Sequence, residues 1–253
     1  MATPGDRDVR RRRLILRATT RREVELGLPI SLEIAAALHS ELAALFVEEE
    51  ASLAASALPF PAMVGFSGGA VALDPARFEA AIRREAELCR TMLARAAERA
   101  KLAWSFEARR GVAAQLLCEA CSVDDILVIG LDRLAASAAD AMALARQLAP
   151  RQGGVLFVPE RPVRRQGPVI VLAQPEAPET DVLAQFAATL AEALGSRMAR
   201  IADIPASLTA DLESARLLLA PLDGSPLDDA AVLRRVTAEL RTPLLLLRTG
   251  RPE

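Results

Sequence analysis

Residues 124–130 read DDILVIG, and they constrain the fold more than any other stretch of the chain. Two acids close a helical segment, four apolar residues follow without a break, and a glycine ends the run. A continuous apolar run this short, bounded by a turn signal, marks a strand buried on both faces. Such a strand lies at the centre of a parallel sheet covered by helices. The glycine at its carboxyl end then sits where open α/β sheets bind ligands.

The rest of the chain alternates short apolar runs with stretches of helical period. Strands are expected at 14–18, 42–47, 102–108, 126–130 and 155–158, with helices at 23–40, 75–100, 112–121 and 134–148 between them. Residues 159–167 carry two prolines, three arginines and no apolar period, which reads as a linker. The pattern then restarts: strands at 169–172, 198–201, 217–220 and 244–247, helices at 180–194, 208–215 and 227–240. By element order 14–18 corresponds to 169–172, 124–130 to 217–222 and 155–158 to 244–247. Nothing in the second half answers to 58–108, so it has one strand fewer. The expected fold class is therefore α/β, two doubly wound, Rossmann-like parallel-sheet domains in tandem, the second shorter. The expected division is a disordered basic tail over 1–12, a first domain over 13–158, the linker 159–167 and a shortened domain over 168–253.

Local signals refine this outline. Asp74 and Pro75 are an N-cap and first-turn pair. Gly27 and Pro29 weaken the start of the first long helix, Arg109 to Gly111 read as a turn, and Gly153 with Gly154 reads as a break after a helix. Arg10 to Arg13 read as solvated gatekeepers beside an apolar strand, ahead of a contact with phosphate or acidic lipid. Residues 58–75 mix Pro and Gly with Phe60, Met63, Val64 and Phe66. They are expected to form either a lid or interaction surface, or a cover for the sheet edge.

Composition excludes several function classes. The chain has one tryptophan and no tyrosine, which argues against a stacking platform for single-stranded nucleic acid. No apolar run approaches the ~18 residues of a membrane span. The amino terminus is charged and lacks an apolar core segment, so no signal peptide is expected and the cytoplasm is the expected location. Three cysteines do not suggest a disulfide framework. Cys118 and Cys121 form a C-x-x-C at the end of a short helix, whereas a redox pair belongs at a helix start, so core packing is the better reading. His39 is the single histidine; with Cys89 it makes no zinc set, and no nucleophile motif surrounds it. No metal site and no enzymatic activity are expected.

The segments 102–111 (LAWSFEARRG), 112–125 (VAAQLLCEACSVDD) and 126–130 (ILVIG) give this chain a resemblance to the universal stress protein family in a tandem form. The resemblance implies HUP-type domains. It also implies a nucleotide crevice: many members bind ATP with an acid after the first strand and a G-x2-G-x9-G-[S/T] pattern after the fourth. Here Gly130 matches the first glycine, the second position is Arg133, and the later ones are Ala143 and Leu144. Ala18, Thr19 and Thr20 follow the first strand, with no acid. In the second half Asp223, Gly224 and Ser225 follow the equivalent strand, but Leu227 stands at the second glycine. If a ligand binds, its neighbours are expected to be Thr19, Thr20, Gly130, Asp132 and Arg133.

The expected function is thus a stress-response or regulatory module that acts by protein interaction or self-association, with a degraded nucleotide site and no cofactor. The alternative is an ATP-binding stress or signalling protein with a divergent phosphate loop. Family members commonly dimerise through their last strands. Here 244–247 could instead pair with 155–158 inside one chain, so the expectation is either an intrachain pseudo-dimer or a homodimer.

Overall fold

The computed structural model describes residues 12–49, 62–64, 70–72, 74–131, 143, 147, 153–160, 164–172, 179–202, 214–222 and 242–248. The elements, in order, are β1 (Arg13–Ala18), α1 (Arg21–Ala37), β2 (Glu41–Glu49), β3 (Ala62–Val64), β4 (Ala70–Ala72), α2 (Pro75–Ala100), β5 (Trp104–Gly111), α3 (Ala113–Ala120), β6 (Ile126–Leu131) and β7 (Gly154–Pro159). Then follow β8 (Val169–Leu172), α4 (Glu179–Ala193), β9 (Met198–Ile201), β10 (Leu217–Pro221) and β11 (Leu244–Leu247).

Nine strands form one sheet in the order β5-β2-β1-β6-β7-β11-β10-β8-β9. Every neighbouring pair is parallel except β7 and β11, which run antiparallel with Leu244 opposite Phe157 and Leu247 opposite Gly154. That pair is the seam between two inverted βα arrays. The first array has the order of a doubly wound sheet, with its switch point between β1 and β6. The second repeats it with β8 and β10 at the switch point and one strand fewer. The pairing of 244–247 with 155–158 inside one chain is observed.

Alternation along each central strand sorts side chains into two layers. Leu14, Leu16, Ile126, Val128, Leu156 and Val158 face one layer, with α1, α2 and α4. Ile15, Leu127, Ile129, Val155 and Phe157 face the other, with α3. Each of these large side chains contributes about 1.5–3 kcal/mol by leaving water. The second face explains why 126–129 is apolar without a break.

The long helix α2 starts as its sequence dictates. The Asp74 carboxylate accepts from the Ala76 N–H at 3.0 Å, and Pro75 occupies the first turn. Ala86, Cys89, Leu93 and Ala97 make its buried stripe. The helix ends on Lys101, in the left-handed conformation at φ 56°.

Three local expectations change. Gly27 and Pro29 do not weaken α1, which runs through both. A Cβ on Gly27 would sit 2.5 Å from Leu16 Cδ1, so glycine lets the helix lie close on the sheet. Arg109 to Gly111 continue β5 instead of turning, because Arg109 and Arg110 pair in register with Val47 and Glu48. Arg110 Nε lies 3.3 Å from Glu48 Oε2, a cross-strand ion pair that extends the ladder. Gly154 opens β7 at the seam and is no turn.

Of the 58–75 segment, Ala62–Val64 and Ala70–Ala72 form a separate antiparallel ribbon. The rest of it lies outside the described residues, as do Arg10, Arg11 and most of the expected helices at 134–148, 208–215 and 227–240. No helix among the described residues is long and apolar enough to cross a membrane.

Candidate functional site

The crevice at the carboxyl ends of β1 and β6 is built from the residues that follow each strand. The chain leaves β1 at Ala18 and turns into α1 through Thr19 and Thr20. Thr20 is the N-cap: its hydroxyl oxygen accepts from the Glu23 N–H at 3.2 Å. Residues 20–23 have the T-x-x-E spacing of a capping box, in which the acid reaches back to the N-cap amide. Glu23 reaches one residue further. Its Oε2 accepts from the Thr19 N–H at 3.0 Å and from the Thr19 hydroxyl at 2.8 Å. Its Oε1 accepts from Arg17 Nε at 2.6 Å, and Arg17 Nη2 lies 2.5 Å away.

Glu23 is wholly buried, and the Arg17 side chain is only 10% exposed. Burial pushes the Glu23 carboxyl up, against the pull of the Arg17 charge and the Thr19 bonds. Four donor atoms of the same chain thus meet the two carboxylate oxygens. The arrangement is an internal anion in a cradle of one guanidinium, one amide and one hydroxyl.

Gly130 faces the same turn. A Cβ there would lie 2.9 Å from the Glu23 carbonyl oxygen and 3.0 Å from Glu23 Cγ. The close approach that glycine allows at this position is therefore taken by the first turn of α1. The structure brings Thr19, Thr20 and Gly130 together, as the sequence suggested, but around Glu23. Asp132 and Arg133 lie outside the described residues. Glu23 and Arg17 were missed, although two signals were present: a charge inside the strand RLILRA, and an acid three residues after a threonine.

A second buried ion pair closes the opposite end of the same two strands. Asp125 accepts from the Arg13 backbone N–H and Nε at 3.2 Å each and from Arg13 Nη2 at 2.6 Å. It also accepts from the Ser122 N–H and hydroxyl at 2.8 Å each. Burial works to raise the Asp125 carboxyl, but Arg13 and Ser122 hold it below the ordinary carboxylate range. Arg13 is thus a partner of the core and no solvated gatekeeper, and Arg12 beside it lies over the Phe186 ring at 5.4 Å. A third buried cation links the two arrays: Arg216 donates from Nη2 to Glu33 on α1 at 2.8 Å and from Nη1 to the Leu194 carbonyl at 2.6 Å.

The cysteines behave as packing groups. All three are free. Burial pushes the Cys89 and Cys121 thiols up to about 12. With the native protein at pH 8 and a chromogenic disulfide reagent, only half-buried Cys118 is expected to react, and all three in denaturant. Fast reaction at Cys121, read by peptide mass, would revive a redox role for the pair. Among the described residues no group of His, Cys, Asp and Glu could hold a metal ion.

No protein-family model and no curated protein sequence matches the chain. Solved structures do. A universal stress protein from Archaeoglobus fulgidus superposes over 95% of this chain and 97% of its own, with a TM-score of 0.63 at 13% identity. A functionally unknown protein from Pseudomonas aeruginosa PAO1 covers 94% and 93%, with a TM-score of 0.55 at 14% identity. The fold is that of the universal stress proteins. A third structure with this fold, the cytoplasmic domain of a prokaryotic cation chloride cotransporter, covers 95% and 97% with a TM-score of 0.53 at 13% identity. At such identities the likeness is one of fold.

Proposed function

We propose that the protein is a regulatory or stress-response module of universal-stress-protein fold that works through protein contacts, its nucleotide crevice given over to Glu23. The observation that carries this reading is the space beside Gly130, where the backbone and side chain of Glu23 stand. Both threonine hydroxyls that could face a ligand are committed to Glu23, one as donor and one as acceptor. A nucleotide that took the place of Glu23 would have to displace an ion pair whose rupture costs about 3–5 kcal/mol. The fold also serves as the cytoplasmic domain of a cotransporter, which supports a role as a module that acts on other proteins.

Calorimetry and native mass spectrometry with ATP and magnesium test the reading. No saturable binding is expected up to about 1 mM. A nucleotide retained through purification, or a saturable dissociation constant below about 1 mM, would overturn it in favour of the ATP-binding alternative.

A further inference from the structure

We propose that a cleft at the amino ends of β1 and β6, the end opposite the Glu23 crevice, binds a free amino acid with an apolar side chain. The ligand's carboxylate meets Arg12, its ammonium meets Asp124, and its side chain lies against α4. The cleft opens where the second array runs into the first. Val182 and Phe186 of α4, Ile126 of β6 and Leu247 of β11 line it with apolar surface. It holds about 200 Å³, the room of roughly seven waters at about 30 Å³ each. A molecule of leucine's size fits.

Three observations give the cleft its chemistry. First, it holds two opposite charges that have no polar partner. Arg12 and Asp124 both line it and both are exposed, and among the described residues neither forms a hydrogen bond or an ion pair, with the other or with a third group. Their chain neighbours behave differently: Arg13 Nη2 and Asp125 Oδ2 close to 2.6 Å. The register that sets Leu14 opposite Ile126 places Arg12 and Asp124 at the same end of adjacent strands, within reach of one small molecule. Arg248 on the rim has an interaction of its own, so the cleft offers one guanidinium and one carboxylate. A ligand with a single charge would meet one of them and cover the other unpaired. An amino acid, whose ammonium and carboxylate share one carbon, meets both. Second, the Arg12 guanidinium lies over the Phe186 ring, 5.4 Å from its centroid. Held there, it stays apart from Asp124 and keeps its N–H donors for a carboxylate. Third, the lip is apolar and open to water: Val123 is 45% exposed and Val182 57%. A side chain that covered them would gain by removing that surface from water.

The turn that carries Asp124 is closely built. A Cβ on Gly153 would stand 2.7 Å from the Val123 carbonyl oxygen, so the 123–125 turn is pressed against the start of β7. The second array does not repeat the pair of charges. With Leu14 corresponding to Val169 and Ile126 to Leu217, the counterparts of Arg12 and Asp124 are Gly167 and Ala215. A Cβ on Gly167 would meet the Ser214 carbonyl oxygen at 2.1 Å, which leaves no room for a side chain in the matching place.

Saturation-transfer NMR of L-leucine with the full chain tests the proposal. Saturable binding with a dissociation constant of about 1 mM or tighter is expected. Glycine, with both charges and no side chain, should bind about tenfold more weakly or worse. Leucinamide, which lacks the carboxylate, and N-acetylleucine, which lacks the ammonium, should each lose about tenfold as well. Arg12→Gln and Asp124→Asn should each weaken leucine binding about tenfold. Asp124→Asn should bind N-acetylleucine no less tightly than the wild type does, because that ligand has no ammonium to lose. Both residues are exposed, so an unchanged melting temperature will certify each folded variant. No saturable binding up to about 10 mM, equal affinity for leucine and its two derivatives, or equal affinity for leucine in the wild type and either variant, would overturn the proposal.

Discussion

Arg17→Met is expected to destabilise the protein by about 3–5 kcal/mol at neutral pH, because it leaves Glu23 charged and unpaired in the core. In a chain of this size that is roughly ten degrees of melting temperature or more. The residue is close in volume, so packing changes little; what is removed is the guanidinium that meets Oε1. Thr19 alone then answers a carboxylate with no exposure to water. The pH dependence has a definite sign. Burial already raises the Glu23 carboxyl in the folded protein. A raised folded pKa means that the stability it confers is complete below the unfolded value of about 4.3, and is lost as pH rises through the folded value. Removing Arg17 removes the main pull against burial and raises the folded value further. The loss should therefore be smaller at pH 5 than at pH 7.5 in urea titrations. Arg17→Met combined with Glu23→Leu should recover most of it, since replacing both partners leaves no buried charge. A loss below about 1 kcal/mol, the same at both pH values, would mean that Glu23 is not held as an internal anion.

Gly154→Val is expected to cost about 3 kcal/mol or more, at the upper end for overpacked cores. Gly154 is buried in β7 opposite Leu247 of β11. A Cβ there would lie 2.7 Å from the Leu246 carbonyl oxygen and 2.8 Å from Leu247 Cδ2. The leucine methyl could rotate away; the carbonyl is backbone, and moving it shifts the strand that joins the two arrays. Gly195→Ala is the contrasting case. It lies at φ 62° with nothing within 4 Å of its Cβ position, so its cost is conformational and about 1 kcal/mol. Melting curves of the two variants separate these mechanisms. Wild-type stability in Gly154→Val would mean that β7 and β11 do not pair in this register.

The strands were legible in the sequence because each central one is buried on both faces, which makes it a short apolar run between turn signals. Asp74 and Pro75 announced the start of α2 for an equally local reason: a cap and a fixed φ act within one turn. The order of the arrays, and the missing strand of the second, followed from the same runs. The candidate site was legible only in part. Thr19, Thr20 and Gly130 were placed near one another by topology. Glu23 was not, since a glutamate in the first turn of a helix is ordinarily a solvated partner of the macrodipole.

Glycine and arginine carried the errors. Gly27 and Gly154 looked like breaks, but each marks a place where another element presses too close for a Cβ. Arg13 looked like a solvated gatekeeper, and Arg109 and Arg110 like a turn, but Arg13 finds Asp125 just before β6, Arg110 finds Glu48 on β2, and Arg109 finds Glu119 on α3.

The sequence by itself determined the periodicities, the Asp74 cap and the nine strands of the main sheet, because these depend on residues within a few positions of one another. Only the tertiary structure decided which glycines are contacts, which arginines are core groups, and what fills the crevice at the end of β1. Those outcomes depend on distances between residues far apart in the chain: Gly130 and Glu23, Arg13 and Asp125, Gly154 and Leu246. A sequence records the side chains that meet there, but a buried charge and a solvated one are written with the same letter.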